Sequence, residues 1–576
     1  MALEQFSDVV QKCQAIHDDS YTTEDYDVFT IAGRACIEEG DSTQVLSIVV
    51  DEKNKDIVRC MGWNLLPPLV QVLLRKDDRS LPHCLAIFSH LLEVCSPKEL
   101  LVGLLEQVEE AQPDVRAETL LLLLNPLQKV LLRLGRRKPS SLGMVLSTLL
   151  EQVAKLPVPH TKEQEEDDVF SLCRCCTHLM AFIRPFVQEA RYNVLVLSDK
   201  EDELRTELLK FCMKTLCQPL LEVHLKDPDT LPVSPLRDFA TEILSSLSAI
   251  GESLPSLVFL PLLRRREVPG FLEEEVRYPK ESLSSLAHLL FVHHLAVDAF
   301  PAVYSPVFTL RSNMEHINQL LSSVQHADRV SPLHQELYEK SLVRLEDGSL
   351  HVSLLEIKTF ISVPRNLVKV MTLCPVQHLR TKGLKVLQLS IDKFDTEAKY
   401  NFLQSMLKIS NHSGVEGYII KNIKNQIDFS LKPGHGNPWF EGVHLLPLLR
   451  QVLVLPDGPE TDLLQYLDRV MESLNLLRYL VIRDKVTENQ TGIWTELYKI
   501  EDKFLKPLRV GVNMSRAHYE MELKNTMENK KSKVKESCDF LNFTVIFQAL
   551  HSALHTFDMI ESVLVRIEEI ISVDNI

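Results

Sequence analysis

Leu463-Leu-Gln-Tyr-Leu-Asp-Arg-Val-Met-Glu-Ser-Leu-Asn-Leu-Leu-Arg-Tyr-Leu-Val481 is the stretch that decides the fold. Leu463, Leu467, Val470, Leu474, Leu477 and Val481 recur in alternating steps of four and three, which lays them along one face of an α-helix. The ends of that helix are also written locally. Pro459 suits a first turn, Glu460 and Asp462 place negative charge near the N-terminus, and Arg483 and Lys485 place positive charge near the C-terminus.

Working outward, the same period appears at Ile493, Leu497, Ile500 and Phe504, and at Leu120, Leu124, Leu127, Leu131 and Leu134. No run of period-two alternation is long enough to build a sheet. The chain holds only 18 glycines in 576 residues, about 3% against the roughly 7% of average proteins. Short Pro-, Asp- or Gly-bearing turns separate the periodic segments, as at Cys374-Pro375 and Leu455-Pro-Asp-Gly-Pro459. Single amphipathic helices at this spacing cannot bury themselves, but stacked pairs share a continuous core. The expectation is an all-α chain, an irregular HEAT/armadillo-like helical-repeat solenoid. The organisation expected is an N-terminal array over 1–250, a Pro- and charge-rich connection over 251–280 and a C-terminal array over 281–576. A polar run at Asn525–Ser537 reads as a connection to a last amphipathic helix carrying Leu550, Leu554, Phe557, Ile560, Val563 and Leu564.

Charge excludes several functions. The net formal charge is −16, which is unsuited to neutralising a nucleic-acid backbone. No basic, apolar leader is visible at Met1-Ala-Leu-Glu-Gln-Phe-Ser-Asp8, and the Leu-rich stretches Leu120–Leu124 and Leu254–Leu263 are too short or Pro-broken to insert in a membrane. Twelve cysteines follow no disulfide framework and read as reduced, buried thiols of a cytoplasmic protein.

Candidate chemistry is sparse. Cys173-Arg-Cys175-Cys176-Thr-His178 is the most metal-like spacing, yet the segment reads as a helix whose cysteines are core, and no metal is expected. His293-His294 falls in a helix-like run where adjacent side chains diverge by about 100°. No phosphate-binding glycine loop and no pairing of nucleophile with base is present, so no catalytic residue and no cofactor are expected. Arg264-Arg265-Arg266, beside Glu273-Glu274-Glu275, reads as a solvated loop.

The distribution of charge is more telling. Residues 401–536 hold 19 Lys+Arg against 17 Asp+Glu, a net of +2, and the remainder of the chain is at −18. A near-neutral third offers a partner a landing place with little like-charge cost. In the helix expected over Gly414–Leu431 the core positions are Val415, Ile419, Ile423 and Ile427, with Lys421, Lys424, Asn425 and Asp428 opposite. Trp494, Tyr498 and Leu505 form a second stripe beside the core of the Ile493 segment. It is either an interface anchor or a wide core arc.

Long strings of the chain are familiar: Leu367-Val-Lys-Val-Met-Thr-Leu-Cys-Pro375, Ser473-Leu-Asn-Leu-Leu-Arg-Tyr-Leu-Val-Ile482, Asn489-Gln-Thr-Gly-Ile-Trp-Thr-Glu496 and Met514-Ser-Arg-Ala-His-Tyr519 among them. In these the chain resembles the glomulin family along most of its length. The resemblance implies an all-helical HEAT-like protein without enzymatic activity. Its C-terminal part would cap the RING subunit of cullin-RING ubiquitin ligases, and through it engage cullins, masking the surface that recruits the ubiquitin-conjugating enzyme. It also implies links to an immunophilin, to the hepatocyte growth factor receptor and to vascular development. The alternative is accordingly a signalling scaffold for the immunophilin or the receptor. On this reading the contact falls on the near-neutral third, with Lys421, Lys424, Asn425, Arg478, Trp494, Tyr498 and Tyr519 as the individual candidates.

Overall fold

The computed structural model describes residues 2–16, 21–75, 80–159, 161–197, 202–223, 234–264, 279, 281–295, 304–323, 333–532 and 538–572. Among these the regular structure is helical from Ala2 to Ser572. No strand occurs among the described residues, where one isolated parallel bridge joins Leu350 to Phe394. The chain is an all-α helical-repeat protein. Every substantial packing between α-helices joins elements no more than three places apart in the chain. Thr23–Glu38 lies against Ala2–Gln14, Arg116–Leu132 against Pro97–Glu109, and Ser413–Ser430 against Leu467–Val486. Among the described residues it is near neighbours in the chain that pack on one another, which is the packing logic of stacked repeats.

Two compact units result. One comprises Met1–Leu320 with Ser331–Lys340, the other Leu321–Val330 with Ser341–Ile576. In the first, Glu52–Arg75 is long and apolar enough to cross a membrane by composition alone. It opens on one 3-10 turn and is interrupted by another at Gly62–Leu65, however, and Met61, Leu65, Leu66 and Leu69 are fully buried within the protein. Leu254–Arg264 is helical inside the Gly251–Lys280 stretch, with Pro255 in its first turn, where a missing N–H costs nothing. Arg265, Arg266 and Glu273–Glu275 lie outside the described residues, as does Lys226–Val233 of another Pro-rich stretch.

Several boundaries differ from the periodicity. The helix expected from Pro459 begins at Leu467, although Leu463 is still buried. Asp462 Oδ1 accepts the N–H groups of Leu464 at 3.0 Å and Gln465 at 3.1 Å. The chain therefore turns through a side-chain-capped loop before the helix proper. The helix Glu281–Phe291 ends before His293-His294, and His294 adopts a left-handed φ of 53°. The run from Asn525 is no loose connection as far as Ser532: it continues the helix Lys506–Ser532.

In the second unit Leu467–Val486 is the central helix, packed by Ser413–Ser430 and by Cys538–Ser572. Its approach to the former requires Gly417, because a Cβ there would sit 2.9 Å from the carbonyl oxygen of Asp468. Arg469 and Glu416 bridge the same pair of helices at 2.7 Å, with the Glu416 side chain only 3% exposed. In the last helix Ala553, Phe557, Ile560, Leu564, Ile567 and Ile571 are buried, a stripe in steps of three and four.

Candidate functional site

The near-neutral third lies in the second unit, and the helices that carry the candidate residues are built around buried apolar stripes. On Ser413–Ser430, Val415, Ile419, Ile423 and Ile427 are all buried, which turns Lys421 and Asn425 to solvent. Lys424 is half-buried rather than free. Its Nζ lies 5.6 Å from the ring centre of Tyr479, a cation–π contact with the neighbouring helix. The hydroxyl of Tyr479 donates to Asp428 at 2.8 Å. That bond lowers the Asp428 carboxyl below its ordinary range, while burial and the same bond push the Tyr479 phenol up. The polar face read as a solvated ladder is thus partly a bonded seam between two helices. Arg478 is exposed on the Leu467–Val486 helix.

Trp494 and Tyr498 sit on the short helix Ile493–Ile500, whose entry is held by two carboxylates. Asp484, 2% exposed, accepts the N–H of Thr491 with both oxygens at 3.2 Å, the Thr491 hydroxyl, and the Thr487 hydroxyl at 3.0 Å. Glu441 accepts from the Ser430 hydroxyl, from the N–H of Asn437 at 2.8 Å and from the Gln490 amide at 2.9 Å. Burial opposes its ionisation, but these donors outweigh burial and leave its carboxyl below the usual value. Asn489 Oδ1 then accepts the N–H of Trp494 at 3.1 Å, and Gly492 at φ 77° turns the chain into the helix. Trp494 is left half-buried with Lys485 Nζ 5.8 Å from its ring centre, and Tyr498 is 62% exposed. Leu505 is 3% exposed and belongs to the core, so the second stripe divides into two surface aromatics and one core residue.

Tyr519 lies apart from these. It is half-buried, with its ring 5.5 Å from that of Phe557 in an edge contact that ties Lys506–Ser532 to the last helix. No hydrogen bond, ion pair or ring contact joins any two of the seven candidates among the described residues. They form a Lys421/Lys424/Asn425 patch, a Trp494/Tyr498 patch, and the separate positions Arg478 and Tyr519.

Cys173, Cys175 and Cys176 are buried on the helix Leu172–Leu197, and burial pushes the first two up to about 12. No group of three or more His, Cys, Asp or Glu converges as metal ligands among the described residues.

A family model described as "Uncharacterised protein family, YAP/Alf4/glomulin" matches residues 1–544. Glomulin of Mus musculus is 47% identical over 592 residues, covering 100% of this chain and 98% of the mouse protein. Human glomulin is 47% identical with the same coverage. The chain belongs to the glomulin family. A circular tandem repeat protein of known structure aligns along 100% of this chain and 98% of its own length. Its TM-score is 0.18 and its identity 12%, too low to bear on fold or function.

Sequence reasoning missed Asp484 and Glu441, the residues that position the Trp494 patch. A lone carboxylate, on a helix as at Asp484 or just before one as at Glu441, reads as solvated charge. The one available signal was the clustering of Thr487, Asn489 and Thr491, hydroxyl and amide residues that cap turns when an acceptor is near.

Proposed function

We propose that this protein is a non-enzymatic binding protein that caps the RING subunit of cullin-RING ubiquitin ligases and blocks recruitment of the ubiquitin-conjugating enzyme, so inhibiting ubiquitin transfer. The observation that carries the reading is the full-length match to glomulin, for which the family resemblance implies this role. Two features of the second unit support it. Its helices are cross-braced by a buried ion pair and capped loops, which suits a rigid occluding surface. Its near-neutral third presents exposed Lys421, Asn425, Arg478 and Tyr498 without a strong field of either sign.

The mechanism is competition. An occupant with a standard interface of about 1,200–2,000 Å² displaces a transiently bound conjugating enzyme. The test is an in vitro ubiquitin-transfer assay with purified ligase at varied conjugating-enzyme concentration. Inhibition relieved by excess conjugating enzyme is expected. Inhibition that no excess relieves, or none at all, overturns the proposal and returns the weight to an immunophilin or receptor scaffold. The full-length variant Lys421→Glu/Asn425→Ala/Tyr498→Ala should weaken capture of the RING subunit at least tenfold.

A further inference from the structure

Between the helices Gly442–Val452 and Ile493–Ile500 lies a cleft of about 120 Å³, floored by Leu446, Leu449, Leu453, Ile493 and Ile500. Its rim is charged and asymmetric. Glu496 is the single carboxylate lining it and is already saturated. Arg450 grips it in a two-point fork at 2.8 and 3.0 Å, and Lys499 reaches both its oxygens at 3.0 and 3.1 Å. Lys503, the third cation of the lining, is exposed and makes no ion pair among the described residues. It stands on Glu501–Leu505, a π-helical turn between two α-helices, a departure from regular helix that recurs at functional sites.

We propose that this cleft receives one aliphatic side chain of a protein partner whose adjacent Asp or Glu pairs with Lys503. Three cations against one committed carboxylate leave a rim that complements negative charge, although the chain as a whole carries −16. The volume chooses between sources of that chemistry. A fatty acid also combines carboxylate with hydrocarbon, but small-molecule sites run to about 300–1,000 Å³, and this cleft has room for one side chain only. An acidic-aliphatic peptide segment fits both the size and the charge. The inference does not rest on the ligase reading, because it names a cleft and a chemistry rather than a RING partner.

The test pans a phage-displayed random 12-residue peptide library against the full-length protein, then measures the affinity of the enriched peptides by fluorescence polarisation. The expected motif is Leu, Ile or Met within three residues of Asp or Glu. Lys503→Glu, a surface change that leaves the fold intact, should weaken those peptides at least tenfold. Val454→Glu, which places charge at the half-buried wall, should abolish binding without changing the Tm by more than a few degrees. No enrichment, a motif lacking the acid, or unchanged affinity in Lys503→Glu overturns the proposal. A fluorescent fatty acid is run in parallel, and saturable binding of it lost in Val454→Glu overturns the peptide assignment.

Discussion

Asp484 holds Thr491 by three bonds, two from the backbone N–H and one from the hydroxyl, across a gap of seven residues. This clamp closes the loop between the central helix of the second unit and the helix that bears Trp494 and Tyr498. Replacing Asp484 by Ala leaves the buried N–H and the hydroxyl of Thr491 without their acceptor, while the Thr487 hydroxyl keeps the Arg483 carbonyl at 3.3 Å. The expected cost is about 2–4 kcal/mol of stability, read as a lower urea midpoint at unchanged slope. Asp484→Asn, which keeps one acceptor oxygen, should recover part of it.

Glu416 and Arg469 make a contrasting case. Both charges are desolvated, so the pair itself adds little net stability, while removal of one partner strands the other. Glu416→Ala alone should destabilise by about 3–5 kcal/mol, and the double change Glu416→Leu/Arg469→Met by much less. A double-mutant cycle by urea denaturation decides it. Equal losses in single and double variants would contradict the account.

Acid should loosen the first unit. His316 is fully buried with one ring nitrogen 2.8 Å from the carbonyl of Val258, and burial pulls its pKa down to about 4. His293 is pulled down to about 3 by burial, then by His288 and Arg237. Both stay neutral in the folded state, whereas the unfolded chain takes up protons below about 6.5. Their contribution is therefore complete above pH 6.5 and is lost as the pH falls toward 4, at up to about 1.4 kcal/mol per pH unit for each. Between pH 6.5 and 5, His316→Gln should show a shallower fall in stability than the natural chain. Parallel curves would refute this.

The last helix docks mainly by apolar burial. Arg516 bridges Asp558 at 2.8 Å and Glu561 at 2.6 Å, but in partly exposed positions where an ion pair contributes at most about 1 kcal/mol. Phe557, 1% exposed and in edge contact with Tyr519, is worth more. Phe557→Ala should cost about 3–5 kcal/mol and release amide exchange along residues 545–572, whereas Arg516→Ala should barely change either. The reverse order would show that charge, not packing, holds the helix.

Helix existence was legible from spacing alone, because one turn of 3.6 residues imprints itself on whichever positions must leave water. Val470, Leu474, Leu477 and Val481 could be read as core, and they are. Boundaries were less legible. At Asp462 a side chain competes with the helix for backbone N–H groups, and at Asn525–Ser532 a polar helix needs no apolar stripe to continue. The candidate surface was legible as exposure for Lys421, Asn425, Arg478 and Tyr498. Lys424 and Tyr519 were drawn into contacts with Tyr479 and Phe557 that no local pattern encodes.

The amino-acid order by itself therefore determined the all-helical class, the apolar faces and the family, since each depends on residues near one another in the chain. The tertiary structure alone decided that buried Asp484 and half-buried Glu441 act as clamps, that Leu505 is core, and that Leu446, Arg450, Glu496 and Lys503 line one cleft. Those facts depend on which helix lies against which. A side chain's partner across that gap is set by packing geometry, and one helix carries no record of it.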